Sequence, residues 1–342
     1  MKITAPAAHE ANTTDGAYSY EDESPEVDEG VALTGLEVRA IDMGVAQHGQ
    51  RLDRALADTV PEFSRSYLQQ LLALGAVSLN GVSVLKPAQR VKAGDHVCVE
   101  MRPTMQSQSF RPESMAIDVI YEDAHLLVVN KPAGLVVHPA PGNWSGTLLN
   151  GLMGRDIGAT QVPRAGIVHR LDKDTSGLMV VARNRATMDA LVHLLALRQV
   201  SRQYVALAHR PWHGAARKTV EAPIGRDPRN RLRMAVVDLA AHPGKSAKTD
   251  FDLLAGIEIG CLVRCSLHTG RTHQIRVHMA SIGHPLVADA LYGGAPAVGM
   301  QRQALHAFRL AFVHPMTGQA MEFHAPLPPD LSAALAQWGL EF

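Results

Sequence analysis

From residue 126 onward the chain strings together apolar runs of β type, at 126–129, 178–182, 204–208, 261–267 and 305–313, several of them in direct succession. Parallel neighbours need a crossover of a dozen or more residues, so strands that follow one another closely must pair antiparallel. Helical patterns at 147–153, 186–197, 272–281 and 330–338 are too few to alternate with every strand. The order predicts an α+β fold, a mixed and largely antiparallel sheet flanked by helices, and not a doubly wound one. Neither GxGxxG nor P-loop spacing occurs, which removes the common nucleotide-cofactor folds.

A smaller unit precedes it. Leu52, Ala55 and Leu56 recur at helical spacing up to Pro61, and Ser66 with Gln69 reads as a capping box for a second helix with Leu68, Leu71 and Leu72 on one face. Val77 and Leu79 then alternate into Asn80-Gly81, a strong hairpin signal, and Val82 and Val84 leave it. Two short helices and a hairpin predict a compact α/β module over 50–101. The polar, proline-bearing stretch 102–114 reads as a linker to a larger domain at 115–342.

Charge is divided unevenly along the chain. The formal total is zero, yet residues 1–40 hold nine acidic and two basic residues, a net of −7, so the remainder carries +7. The acidic stretch has few large apolar groups and is expected to be a disordered tail; the folded part is basic, as a nucleic-acid partner requires. Three cysteines, Cys98, Cys261 and Cys265, make no disulfide framework. No stretch reaches the ~18 apolar residues of a membrane span. A soluble cytoplasmic protein with no membrane partner is expected.

Two clusters could carry chemistry. In "RAGIVHRLDKDTSGLMVVAR", 164–183, Asp172 stands in a charged loop just before an apolar strand, where clefts form at sheet ends. An Asx-type turn, with the carboxylate accepting from the Thr175 and Ser176 backbone, is the other reading. In "LHTGRTHQIRVHM", 267–279, His273 and Arg276 lie three apart on one helix face, and the guanidinium could hold a carboxylate. Cys261, Cys265 and His268 do not make a zinc site, because the histidine points away from the thiols and a fourth ligand is missing. No HExxH and no Gly-x-Ser-x-Gly elbow around Ser176 supports a metallohydrolase or a serine hydrolase.

Taken together, "YEDAHLLVVNKPAGLVVHP" (121–139), "GIVHRLDKDTSGLMVVAR" (166–183), "SRQYVAL" (201–207), "LHTGRTHQIRVHM" and "RQALHA" (302–307) resemble the RNA pseudouridine synthases that modify ribosomal RNA, preceded by an S4-type RNA-binding domain. The resemblance spans 52–328. It implies an isomerase that needs no metal or cofactor, with Asp172 as nucleophile, Tyr204 stacking on the base and meeting the C5 proton, and Arg276 orienting Asp172. Attack on C1′ and a glycal-like intermediate are both open to Asp172. Arg51, Arg65, Lys86, Arg90, Lys131, Arg170 and His273 are expected to bind RNA. The phrases "VPRAGIVHRLDKDTSGLMVVA" and "HPMTGQAMEFHAPLP" are most similar to members acting on the helix 69 stem-loop of 23S RNA. Other large-subunit uridines, or an idle RNA-binding protein, are the alternatives. The implied partner is large-subunit RNA or the assembling subunit, and a monomer is expected. One departure stands out: where the family has Gly in a GDPxYG-like phrase, this chain has Ala288.

Overall fold

The computed structural model describes residues 37–102, 109–140, 142–230 and 232–342. The chain divides into two compact units, Met1–Ser107 and Gln108–Phe342.

In the first unit, β1 (Val38–Asp42), α1 (Leu52–Thr59), α2 (Arg65–Ala73), β2 (Val77–Leu79), β3 (Val82–Ser83) and β4 (His96–Glu100) form two helices against a sheet of order β1-β4-β2-β3. Leu52, Ala55, Leu56, Leu68, Leu71 and Leu72 are fully buried in one apolar cluster with Val77, Val97 and Val99. Asn80 and Gly81 take φ of 51° and 80°, the left-handed pair a two-residue hairpin turn needs.

Three expectations require correction in and around this unit. The cap of α2 is Ser64, whose side chain accepts the Tyr67 N–H; Ser66 lies inside the helix, and Gln69 instead donates to Asp53 at 2.7 Å. The module also begins earlier than residue 50. Val38–Asp42, placed by composition at the end of an acidic tail, pairs antiparallel with His96–Glu100, an edge strand whose outward residues are free to be charged. Residues 1–36 of that tail lie outside the described residues. The expected linker 102–114 is likewise part of the larger unit at its far end: Ser109 is buried, and the Ser109 and Arg111 carbonyls accept from Asn150 Nδ2.

The second unit contains β5 (Val119–Glu122), β6 (Leu126–Lys131), α3 (Leu148–Arg155), β7 (Ser176–Ala182), α4 (Arg185–Ala196), β8 (Ser201–His209), β9 (Arg217–Glu221), β10 (Ile224–Arg226), β11 (Met234–Val236), β12 (Lys248–Ile257), β13 (Gly260–Leu267), α5 (Gln274–Ser281), β14 (Leu305–Val313), β15 (Ala320–His324) and α6 (Pro329–Gln337). Its main sheet runs β5-β6-β7-β14-β8-β13-β12-β9, with β15 on the far half of β14. All its pairs are antiparallel except β7 with β14. The α+β reading therefore holds.

Alternation sorts the strands onto two covered faces. Leu127, Val129, Met179, Val181, Tyr204, Ala206 and Val263 enter one cluster with α3 residues Leu148, Leu149 and Leu152 and α5 residues Ile275 and Met279. Leu126, Val128, Leu178 and Val180 face the other way against Leu191 of α4. Further along, Val205, Leu207 and Leu262 meet Leu331 and Leu335 of α6. Because both faces are covered, β7 is buried at every position, and its apolar run shows no alternation in the sequence.

The parallel pair matters for the site. His306 lies opposite Ser176 and Ala307 opposite Gly177. Gly177 has φ of 117°, and a Cβ there would stand 2.2 Å from the Ala307 carbonyl oxygen, so only glycine permits this approach. The motifs around 176 and 306 are thus two sides of one backbone contact.

Candidate active site

Asp172 sits in the tight turn between the buried Leu171 and the start of β7. The Thr175 N–H donates to the Asp172 backbone carbonyl at 3.1 Å. The turn is therefore closed by main chain, which leaves the carboxylate for other partners. Two long side chains fix the following carbonyls. Lys131 Nζ donates to the Lys173 carbonyl at 3.0 Å, and Arg302 Nη1 to the Asp174 carbonyl at 2.9 Å. Gln303 Nε2 reaches Thr175 Oγ1, and Ser176 Oγ lies 2.9 Å from His306 Nδ1.

Arg276, on the first turns of α5, spans two carboxylates. Its Nη1 donates to Asp172 Oδ2 at 3.1 Å, while Nε and Nη2 donate to the two oxygens of Asp289 at 2.8 and 2.9 Å. The guanidinium also lies over the Tyr292 ring, 5.0 Å from its centroid. Burial opposes its charge, but the Asp289 hydrogen bonds and the Asp289 and Asp172 charges together raise its pKa above the ordinary arginine value. It is a fixed cation. A side-on pair with Asp289 sets the plane of the guanidinium, so the remaining nitrogen points at Asp172 in one geometry.

His273 caps α5 in the left-handed conformation, φ 56°, and is not a helical residue. Its Nε2 stands 3.9 Å from Asp172 Oδ1 and its Nδ1 2.9 Å from the Tyr292 hydroxyl. The Met234 N–H donates into that same hydroxyl. Burial lowers the His273 pKa while the Asp172 charge works against the fall.

Tyr204 is 4% exposed, on the face of β8 that also carries the Leu171 and Ile275 cluster. Burial pushes its phenol up to about 12, with Arg202 pulling it down and Asp172 pushing it up. It is a neutral ring wall beside the carboxylate.

The structure thus gathers Asp172, Arg276, Tyr204 and His273, and the exposed Arg170 precedes Leu171 on the same loop. Lys131 is placed differently. It was expected to face RNA, yet it is 1% exposed and its ammonium donates to the Pro132, Leu135 and Lys173 carbonyls. Its role is to hold the Asp172 turn. In the smaller unit Arg51 and Arg65 converge on the fully buried Asp53, Arg90 donates to the Gly49 carbonyl, and Lys86 is exposed. Burial opposes ionisation of Asp53, but Arg51, Arg65 and Gln69 hold its carboxyl well below the usual range. Arg51 and Arg65, about half exposed, therefore serve the fold of that unit as well as its surface charge.

Two residues of the site went unnoticed in the sequence, Asp289 and Tyr292. Both lie in the Ala288–Gly293 phrase, whose altered first position drew the attention instead. Ala288 takes φ of 59°, the conformation that explains a glycine preference there. The two core cysteines and His268 remain apart: the Cys261 thiol is pushed up to about 12 by burial, and His268 Nε2 contacts Asp250 at 2.9 Å.

Residues 125–281 match the sequence profile of a family described as RNA pseudouridylate synthase, and residues 50–97 match the S4 domain. A Neisseria meningitidis protein named ribosomal large subunit pseudouridine synthase D is 47% identical over 307 residues, covering 86% of this chain and 80% of its own. The protein of that name from Escherichia coli is 44% identical, over 83% of this chain and 89% of its own. Among solved structures, human RNA pseudouridylate synthase domain containing 1 is 30% identical with a TM-score of 0.50, over 66% of this chain and 90% of that one. Identity of this extent, on the fold that presents Asp172, shows that the chain belongs to the RNA pseudouridine synthases and carries an S4 domain ahead of the catalytic domain.

Proposed function

We propose that this enzyme isomerises uridines of large-subunit ribosomal RNA to pseudouridine, with the helix 69 stem-loop as target and Asp172 as nucleophile. The relatives named above carry large-subunit ribosomal RNA in their names and align over most of both chains. The observation that carries the chemical assignment is the Asp172–Arg276 hydrogen bond at 3.1 Å, with Arg276 itself locked by Asp289.

The reaction breaks the bond from N1 of uracil to C1′ and joins C5 to C1′, with loss of the C5 proton and gain of one at N1. Nothing is oxidised and no group leaves the nucleotide, so the chemistry asks for neither a redox cofactor nor a metal. A uridine must first leave its stack, at a cost of a few kcal/mol. Asp172, held in place by Arg276, meets C1′ as the N1 bond breaks. Tyr204 packs on the uracil and, as a neutral phenol, receives the C5 proton while passing on its own. His273 and Arg170 border the entrance with positive or donor groups. The S4 domain adds basic surface for the RNA backbone, and its phosphate contacts make binding fall with salt.

Asp172→Asn keeps the size and most hydrogen bonds of the side chain while removing its charge. Tritium release from C5-labelled uridine in large-subunit RNA should drop by several orders of magnitude with RNA binding retained. Comparable turnover by the variant would reject Asp172 as nucleophile. Pseudouridine mapping in cells lacking the protein tests the target: loss at sites outside helix 69 would reassign it.

A further inference from the structure

Arg202, on β8, has no carboxylate partner among the described residues. It lies two residues before Tyr204 on β8, on the same face of the strand. Its Nε is shielded from solvent without a hydrogen-bond partner, and among the described residues its guanidinium makes no ion pair. Its neighbours are otherwise engaged. Arg276 holds Asp172 and Asp289, and Arg302 holds Asp330. Burial lowers the Arg202 pKa, as it must for a charge taken from water with no counterion.

A Cβ on Gly270 would stand 2.9 Å from Arg202 Nη1 and within 3.7 Å of Cζ and Nη2. Gly270 is not among the glycines of positive φ, so its backbone does not itself require glycine, and its nearest neighbour is the flexible end of Arg202. The charge is felt by Tyr204 and by the half-buried His169, whose Nε2 accepts the Val180 N–H and whose Nδ1 also lacks a partner.

A half-buried guanidinium with a shielded, unpartnered Nε beside the ring that receives the base is unfavourable in the free enzyme, and an anion in the complex would satisfy it. We infer that Arg202 is a catalytic residue that binds the uracil oxygens and stabilises the negative charge the base acquires when its bond to C1′ breaks. In that step the Asp172 oxygen bonds to C1′ and the N1–C1′ pair stays on uracil, delocalised onto O2 and O4. The base then turns, C5 displaces the carboxylate from C1′ to give a neutral ring, and that ring loses the C5 proton as N1 gains one. A phosphodiester is the less suitable ligand at the shielded Nε itself, because a phosphate would have to shed its hydration to reach it.

The inference rests on the Asp172–Tyr204 pocket being the uridine site. Its test compares Arg202→Met and Arg202→Lys with the unaltered enzyme on one stem-loop RNA carrying uridine or 5-fluorouridine at the target, by single-turnover nucleoside chromatography and by RNA affinity across a salt series. Fluorine makes uracil a better anionic leaving group. Arg202→Met should slow disappearance of uridine about 10²- to 10³-fold, the usual loss for one donor to a developing oxyanion. The loss should be at least tenfold smaller with 5-fluorouridine, RNA affinity should stay within about twofold, and Arg202→Lys should recover part of the rate. Equal losses with both bases, or a loss confined to affinity and its salt slope, would overturn the inference in favour of packing or a phosphate contact. An unaffected Arg202→Met beside an inactive Asp172→Asn would reject Arg202 alone; an active Asp172→Asn would reject the pocket assignment itself.

Discussion

Lys131 Nζ donates to the backbone carbonyl of Lys173 at 3.0 Å, 42 residues away and directly after Asp172. A fully buried ammonium thus holds the turn that presents the carboxylate, and the desolvation it suffers pushes its pKa down to about 7. Lys131→Met should loosen the turn and reduce kcat by about tenfold or more, since a displacement near 1 Å can cost 10²-fold. Its stability effect follows from linkage. The unfolded chain binds the proton up to about pH 10.5 and the folded chain releases it near 7, so stability rises with pH across that window. Urea titrations at pH 7 and 9 should show the unaltered enzyme gaining on the variant as pH rises; parallel behaviour would contradict the assignment.

Asp289 is 2% exposed and accepts two hydrogen bonds from Arg276. Asp289→Asn leaves a buried guanidinium short of one anion, which typically costs about 3–5 kcal/mol. The freed Arg276 should also lose its fixed aim at Asp172. The expected outcome is a large fall in kcat with little change in RNA affinity, read by single-turnover kinetics beside calorimetry.

Ala288 occupies φ of 59°. A left-handed alanine costs roughly 1–2 kcal/mol, and glycine relieves it at some cost in unfolded-chain entropy. Ala288→Gly should therefore raise stability by up to about 1 kcal/mol and leave turnover unchanged. A lower denaturation midpoint would show that the alanine methyl contributes packing that outweighs its strain.

Acid should unfold this domain through its histidines before its carboxylates. Burial, chiefly, holds His138 and His306 at about 4 and His169 at about 3. Their folded pKa values lie below the unfolded 6.5, so the stability they permit is full above 6.5 and lost as pH falls toward 4. At about 1.4 kcal/mol per unit, His138 and His306 each account for about 3 kcal/mol over that range. Thermal scans from pH 7 to 4 should show a steep fall, lessened in His306→Gln.

Much of this arrangement was legible in the sequence because it is local. The strand runs, the Asn80-Gly81 hairpin and the phrases holding Asp172, Tyr204 and Arg276 declare themselves within a few residues. What stayed hidden depends on distant partners. Lys131 reads as surface charge until three carbonyls are seen around it, and Asp289 reads as loop polarity until Arg276 arrives from α5. β12 carries Asp250 and Asp252, which argue against a strand; Arg217, Thr219, His268 and Arg264 satisfy them from the neighbouring elements. β1 was concealed by the acidic composition before it. Ser66 with Gln69 has the spacing of a capping box, but the helix starts at Arg65 and Ser64 caps it.

The contact of β7 with β14 also bears on how the enzyme comes into being. Ser176 meets His306 across 130 residues, and Arg302 and Gln303 reach the Asp172 turn from the same late segment. A growing polypeptide that has already emerged past α5 holds Asp172, Tyr204, Arg276 and Asp289, yet lacks the backbone against which Gly177 closes. The turn that carries Asp172 is therefore complete only once β14, the last but one strand to be made, has been added.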